Sequence, residues 1–95
     1  MPSMRYTWDD AKRQTNLKKH GLDFADAEKV FASPMVLFED SRENYDKQRM
    51  IGIGLLDILI VLIVHVESEE EIRIISMRKA DNYETDLYYK NAGYY

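Results

Sequence analysis

The amino-acid sequence predicts a single α+β domain in which four antiparallel strands are packed by three helices, in the order ααββββα. The first supporting observation is a continuous apolar run, ILIVLIVHV at 58–66, whose β-branched residues favour a strand buried on both faces. The second is that only short polar connections separate this run from its apolar neighbours. Short connections join antiparallel strands, because parallel neighbours need a long crossover, so the sheet should be a meander.

The composition limits the function classes that remain open. The 95 residues suffice for one domain, expected to span 1–95, and a 45% hydrophobic content favours folding over disorder. There are no cysteines, and the two histidines are far apart, so the sequence predicts neither a disulfide framework nor a metal site, and no cofactor. The net charge of −4 argues against a strongly basic nucleic-acid-binding domain, although a local basic patch remains compatible with it.

The chain shows no segment that would direct it to a membrane. Residues 1–7 lack the apolar stretch of a signal peptide, and the run at 58–66 is shorter than the ~20 residues that span a bilayer. A cytoplasmic location is therefore expected, with no membrane partner.

Two helices should open the chain. Asp9 is a suitable N-cap for a helix at about 9–20, and Gly21 is a suitable residue to end it. Asp23 should cap a second helix at about 23–32, whose apolar residues recur at helical spacing from Phe24 to Phe31 and should pack on the core.

One face of the first helix is entirely polar. Lys12, Asn16, Lys19 and His20 follow the spacing i, i+4, i+7 and i+8, which places them on the same side of the helix. A solvated surface is the simpler interpretation, and a functional surface is the alternative.

The four strands are predicted at about 35–39, 49–55, 57–66 and 71–77. Gly52 and Gly54 within the second strand indicate that another backbone approaches closely, or that the strand bulges. The third strand is apolar on both faces, so helices must cover both, or a partner must complete the burial. A third helix should follow at about 82–91, begun by a capping box of Asp81 and Glu84.

Cations are set into the strands in two groups. Hairpin counting places His65 opposite Arg73 and brings both to the same end of the sheet as Arg49. Arg78 and Lys79 should leave the fourth strand at the opposite end. For Arg73, an ion pair with the carboxylates at 67–71 and a functional role are equally compatible with the sequence. A functional role is favoured for Arg78 and Lys79, whereas His65 is interpreted as an ordinary strand residue.

The polar residues form a pattern that resembles BrnT-like proteins from Trp8 to Tyr88. The residues that carry the resemblance are Trp8-Asp9, Lys12, Asn16, Lys19-His20-Gly21, Phe24, Ala27, Phe31, Arg49, Gly52, Arg73-Ile74-Ile75-Ser76-x-Arg78-Lys79-Ala80, Glu84 and Tyr88. Met77 departs from the pattern, in which alanine is usual.

The resemblance implies a toxin of a type II toxin–antitoxin module with a RelE-like fold. Such a toxin cleaves RNA and blocks translation. Its partner is a ribbon-helix-helix antitoxin, which neutralises the toxin and binds DNA to repress the operon. Because ribbon-helix-helix proteins dimerise, a complex with two toxin chains is expected, with DNA contacted only through the antitoxin.

Metal-independent RNA cleavage needs a proton acceptor, a proton donor and cations that stabilise the charged transition state. We expect His20, Arg78 and Glu84 to be catalytic, although the capping role of Glu84 competes with action as a base. The expected substrate-binding residues are Lys12, Lys19, Arg49, Arg73 and Lys79, and the resemblance adds Tyr88. Arg42, in the polar connection, is expected to lie outside the site.

The alternative function is a non-catalytic module that binds nucleic acid or a partner protein.

Overall fold

The computed structural model of the chain describes residues 4–42 and 46–92. A five-stranded sheet in the order β1-β5-β4-β3-β2 is combined with three α-helices and one 3-10 turn. In chain order the elements are β1 (Arg5–Thr7), α1 (Asp10–His20), the 3-10 turn (Phe24–Asp26), α2 (Ala27–Phe31), β2 (Val36–Glu39), β3 (Met50–Leu56), β4 (Leu59–Glu67), β5 (Glu71–Lys79) and α3 (Asn82–Asn91). Among these helices none is long and apolar enough to cross a membrane.

The predicted α+β class is confirmed, but the prediction of a four-stranded, wholly antiparallel sheet is wrong. Strands β2 to β5 form the expected antiparallel meander. The additional strand β1 pairs parallel with β5, from Arg5 opposite Glu71 to Thr7 opposite Arg73. Three residues are too few to show a strand periodicity, so only the tertiary pairing reveals β1.

Strand β4 lies at the centre of the sheet and separates two hydrophobic cores. Val61 and Ile63 face the first core, which the 3-10 turn and α2 complete. Ile60, Leu62 and Val64 face the second core, beneath α3. These are called the α2 face and the α3 face of the sheet. The expectation that β4 is buried on both faces is confirmed.

The helix ends follow the capping signals in the sequence. The Asp9 side chain accepts a hydrogen bond from the Lys12 N–H, and Gly21 ends α1 with a φ of 70°. Both bonds of the predicted capping box between Asp81 and Glu84 are present. The second predicted helix is shorter and less regular than expected, because Asp23 caps a 3-10 turn and α2 contains only five residues.

Strand β5 is longer than predicted and contains an irregularity. It runs to Lys79, so Arg78 and Lys79 lie within the strand and not beyond its end. The register shifts between Val64 and His65, which leaves Ile75 as an extra residue on β5. The predicted pairing of His65 with Arg73 is therefore wrong, since His65 lies opposite Ile74.

This irregularity determines which β5 side chains share a face. Arg73, Ser76 and Arg78 lie opposite Val66, Val64 and Leu62, which alternate along β4. Directly opposed residues of antiparallel strands point to the same side of the sheet. Arg73, Ser76 and Arg78 therefore all lie on the α3 face.

The glycines of β3 make room for neighbouring side chains, so the predicted close approach of another backbone is wrong. A Cβ at Gly54 would come within 2.9 Å of a Val30 methyl carbon on α2. A Cβ at Gly52 would come within 2.7 Å of the Met35 methyl carbon and 3.3 Å of the His65 ring. The approaching groups are side chains and not the backbone of another strand.

Candidate functional site

Helix α1 is fastened to strand β5 by one buried amide. The Asn16 side chain donates to the Met77 carbonyl at 2.8 Å and to the Leu22 carbonyl at 3.1 Å, and it accepts from the Met77 N–H at 3.1 Å. Strand β1 pairs with β5 only as far as Arg73, so the Asn16 amide takes the place of a neighbouring strand at Met77. The polar face of α1 is thereby fixed against the strand that carries Arg78.

A first pocket lies between α1 and β5 and is called the α1 pocket. Its volume is about 320 Å³. It brings together Lys12, Lys19 and His20, three of the residues selected from the sequence, and its other side is formed by Ile75 and Ser76. All three α1 side chains are exposed.

A second pocket, of about 300 Å³, lies on the α3 face and is called the α3 pocket. It is lined by Phe38, Arg42, Ile51, Leu62, Val64, Ser76, Arg78, Tyr83, Glu84 and Leu87. Ser76 lines both pockets, so they adjoin at this residue. The two pockets together form the candidate site, with His20 on one side of Ser76 and Arg78 on the other.

Arg78 and Glu84, both predicted to be catalytic, are bonded to each other. Nη1 of Arg78 donates to Oε1 of Glu84, and Nη2 donates to Oε2, each at 2.8 Å. Nη1 also donates to the Lys79 carbonyl at 3.2 Å, and Oε1 of Glu84 accepts from the Asp81 N–H at 2.9 Å. The arginine is thus held in one orientation by a carboxylate that also caps α3.

This pair changes the acid–base properties of both groups. The hydrogen bonds from Arg78 lower the pKa of Glu84, and burial opposes this effect only in part. The hydrogen bond to Glu84 raises the pKa of Arg78, so the guanidinium stays charged. A carboxylate with a lowered pKa is a weak proton acceptor, which argues against Glu84 as the base.

Arg42, which was expected to lie outside the site, lines the α3 pocket together with Arg78 and Glu84. The buried carboxylate of Asp40 accepts from Nε of Arg42 at 2.8 Å and from Nη2 at 2.7 Å. The Arg42 side chain remains 69% exposed. The positive charge of Arg42 is close enough to Arg78 to lower the pKa of Arg78 slightly, against the larger effect of Glu84. The polar connection has no periodicity that could have indicated this position.

Two aromatic rings at the edge of the α3 pocket were also not predicted from the sequence. Tyr83, in the first turn of α3, is 75% exposed, and Phe38, at the end of β2, is 37% exposed. The same pocket has an apolar lining that includes Val64 and Ile51. The α3 pocket therefore combines positive charge with accessible aromatic surface.

The remaining predicted residues lie away from the two pockets. Arg73 lines a separate cavity at the other end of β5, together with Lys47 and Glu67. Lys79 lies opposite Val61, which places it towards the α2 face. The carbonyl of Arg49, just before β3, accepts a hydrogen bond from the Asp40 N–H.

Tyr88 is a core residue in this fold. Its side chain is fully buried in the second hydrophobic core, and its hydroxyl donates to the Pro34 carbonyl at 2.9 Å. It therefore joins α3 to the start of β2, and a substrate at the surface would not reach it.

Within residues 4–42 and 46–92, no three His, Asp or Glu side chains are grouped so as to hold a metal ion.

Comparison with known proteins identifies the family. The family model described as "Ribonuclease toxin, BrnT, of type II toxin-antitoxin system" matches residues 8–84. The crystal structure of the ribonuclease toxin BrnT from Brucella abortus is 34% identical in sequence, with a TM-score of 0.67 over 84% of this chain and 100% of that chain. A search of curated protein sequences gave no significant match. The match to the family model and the likeness in fold together show that this chain belongs to the BrnT family of ribonuclease toxins of type II toxin–antitoxin systems.

Proposed function

We propose that this toxin is a metal-independent endoribonuclease that acts in the cytoplasm, on a RelE-like fold, and inhibits translation by cleaving RNA. The observation that carries the proposal is the oriented guanidinium of Arg78, which is held by two hydrogen bonds to Glu84. Ser76 lies between this guanidinium and the α1 pocket, which is lined by His20. This arrangement offers a fixed cation and an exposed imidazole at one surface.

In the proposed reaction the 2′-hydroxyl of RNA attacks the adjacent phosphorus atom, and the bond from phosphorus to the 5′-oxygen breaks. The products are a 2′,3′-cyclic phosphate and a 5′-hydroxyl. A base removes the proton from the 2′-oxygen, and an acid protonates the leaving 5′-oxygen. His20 exchanges the proton at one of these two oxygens, since an imidazole can both accept and donate a proton.

Arg78 stabilises the negative charge that builds up on the phosphate oxygens. An arginine has five N–H donors, of which three are used by Glu84 and the Lys79 carbonyl. Among the described residues no partner takes the other two, so they are available to a phosphate. Lys19 and Lys12 bind the neighbouring phosphates from α1. In this proposal Glu84 positions Arg78 and does not itself exchange a proton.

Incubation of the purified protein with single-stranded RNA in EDTA tests the proposal. We expect cleavage that EDTA does not stop and products with 2′,3′-cyclic or 3′-phosphate ends. Lys19→Ala should slow cleavage, whereas Lys18→Ala, on the same exposed helix but outside the α1 pocket, serves as the matched control. Activity that disappears in EDTA and returns with Mg²⁺ would contradict metal independence. Binding of RNA without any cleavage would instead support a non-catalytic binding module.

The family also implies an antitoxin protein as partner. We propose that this partner is a ribbon-helix-helix protein that neutralises the toxin, and that DNA is contacted only through it. Such proteins dimerise and bind DNA, so the partner should be basic and should hold two toxin chains. The net charge of −4 on the toxin supports attraction to a basic partner.

A further inference from the structure

The aromatic edge of the α3 pocket is not explained by packing. Tyr83 is 75% exposed, and among the described residues its hydroxyl makes no hydrogen bond and its ring stacks on no other ring. Its backbone, however, is fixed, because the capping box of Asp81 and Glu84 holds the first turn of α3. The chain therefore presents a large flat ring to solvent from a rigid position.

The cationic edge of the same pocket is also held in a fixed orientation. Two hydrogen bonds to the buried Asp40 carboxylate fix the guanidinium plane of Arg42, and the backbone N–H of Arg42 donates to the same carboxylate at 3.3 Å. The side chain is nevertheless 69% exposed. Arg42 thus lies beside Arg78 as a second oriented cation in a protein of net negative charge.

We propose that the α3 pocket is a nucleotide-binding subsite for RNA, with a base stacked on Tyr83 beside Phe38 and the adjoining phosphate bound by Arg42. The inference rests on the proposed ribonuclease function and adds the residues that position the substrate. A nucleotide unit carries a flat base and an anionic phosphate, and these are the groups that an aromatic ring and an arginine bind best. Because Ser76 links the α3 pocket to the α1 pocket, this nucleotide would lie next to the cleaved bond.

Stacking and phosphate binding leave different signatures, so the two residues can be tested separately. The probe is a short single-stranded 2′-O-methyl RNA, which cannot be cleaved because its 2′-oxygen carries no proton and is blocked. Its affinity for the full chain is measured by fluorescence anisotropy over a range of salt concentrations. The variants are Tyr83→Ala, Tyr83→Phe and Arg42→Gln.

For Tyr83→Ala we expect an affinity loss of roughly 5- to 150-fold with an unchanged salt slope, as found for the loss of one stacked base. Tyr83→Phe should bind like the wild type, because the ring is retained. Arg42→Gln should reduce the slope of log affinity against log salt by about 0.7, the value for one phosphate on a single strand. In cleavage assays with unmodified RNA, Tyr83→Ala should raise KM more than it lowers kcat.

Two matched controls lie outside the pocket. Tyr89→Ala removes another exposed tyrosine of α3. Lys29→Gln removes a cation that resembles Arg42 in its exposure, 70%, and in its ion pair with an aspartate. Both controls should bind RNA like the wild type. The Tyr83 variants and both controls should keep the thermal midpoint of the wild type, which is measured on the same preparations. Arg42→Gln should lower the midpoint, because it removes two hydrogen bonds from the buried Asp40 carboxylate, so its RNA affinity is measured well below that midpoint.

The outcomes separate this inference from the proposed function. Normal cleavage and RNA affinity in both Tyr83→Ala and Arg42→Gln would overturn the inference and leave the ribonuclease proposal standing. A wild-type protein that binds the probe through Tyr83 and Arg42 but cleaves no RNA would support the inference and overturn the proposed catalysis. A loss of antitoxin affinity in Tyr83→Ala with unchanged RNA affinity would make the surface a protein contact, which also overturns the inference.

Discussion

Arg78 and Glu84 show how a residue can serve the fold and the site at once. The Arg78 side chain is 38% exposed, so its ion pair with Glu84 is partly screened and contributes only about 1 kcal/mol or less to stability. The same two hydrogen bonds fix the direction in which the guanidinium points. Losing Arg78 should therefore affect the reaction far more than the fold.

We expect Arg78→Ala to slow RNA cleavage by roughly 10²–10³-fold, as the loss of one preorganised donor does in other enzymes. Arg78→Lys should restore activity only in part, because an ammonium group cannot make a planar two-pronged contact. Glu84→Gln keeps the shape of the side chain but weakens its hold on Arg78, so it should reduce activity less than Arg78→Ala. Rates and thermal midpoints are measured together. A loss of activity in Glu84→Gln equal to that in Arg78→Ala would point to direct proton transfer by Glu84.

His65 should make the stability of the protein sensitive to mild acid. Its side chain is fully buried, its Nε2 has no hydrogen-bond partner among the described residues, and Oε1 of Glu67 is 3.9 Å away. Burial lowers the pKa of His65, although Glu67 and the Ile63 carbonyl act in the opposite direction. As the pH falls below about 6.5, the unfolded chain takes up this proton before the folded chain does. The free energy of unfolding should therefore decrease.

Urea unfolding between pH 7 and pH 5 tests this expectation. The wild type should lose stability over that interval, and His65→Leu, which keeps the volume and removes the imidazole, should lose much less. His20→Gln, on exposed α1, is the matched control and should behave like the wild type. Asp23 does not contribute to this change between pH 7 and pH 5. The hydrogen bond from Arg13 lowers its pKa to about 2, so its stabilising effect is lost only below about pH 3.8. Identical profiles for His65→Leu and the wild type would exclude His65 as the source.

Helix α1 depends on Asn16 for its place beside β5. Asn16→Ala would leave the Met77 N–H and two carbonyl groups without their partners at a nearly buried position. At about 1–3 kcal/mol for a buried polar group left unpaired, we expect a loss of roughly 2–4 kcal/mol. Gln14→Ala, on the exposed side of α1, should change little. Urea unfolding measures both variants, and hydrogen exchange should show lost protection of the Met77 amide. Full protection of that amide in Asn16→Ala would contradict the role assigned here.

The elements that the sequence predicts well are those with a local signal. Asp9, Gly21 and Asp81 mark helix ends by their own chemistry, and the continuous apolar run identifies β4. Strand β1 was missed because its pairing with β5 is a contact between residues some 66 positions apart, from Arg5 to Glu71. The extra residue at Ile75 was missed because nothing in an apolar strand specifies where its register shifts.

The candidate site was predicted only in part for a similar reason. The helical spacing of Lys12, Lys19 and His20 indicated a shared face, and the structure places them in one pocket. Arg42 lies in a connection without periodicity and reaches the site only because Asp40 is buried beneath it. Tyr88 fits the sequence pattern of the family, yet its burial, which no sequence pattern reveals, places it in the core.

The charge of the whole chain bears on how it meets its antitoxin. A net charge of −4 should attract a basic partner, which raises the association rate most at low salt. We expect the co-expressed toxin and antitoxin to elute from size exclusion as one complex, with a mass by light scattering that fits two toxin chains. The association rate should fall as salt is added. Two separate peaks at micromolar concentration would contradict a tight complex.

The amide of Asn16 also has a consequence for aggregation. An uncovered strand edge can recruit the same edge of another chain, which is the first step towards fibrils. On the β5 side, β1 covers residues 71–73 and Asn16 occupies both backbone groups of Met77, so an incoming strand finds these hydrogen bonds already taken. The edge that remains on this side is β1, which has only three residues. On the other side of the sheet, β2 has only four residues, two of which are the exposed Leu37 and Phe38. Self-association through strand pairing should therefore begin at β2, and a charged residue in place of Leu37 should suppress it.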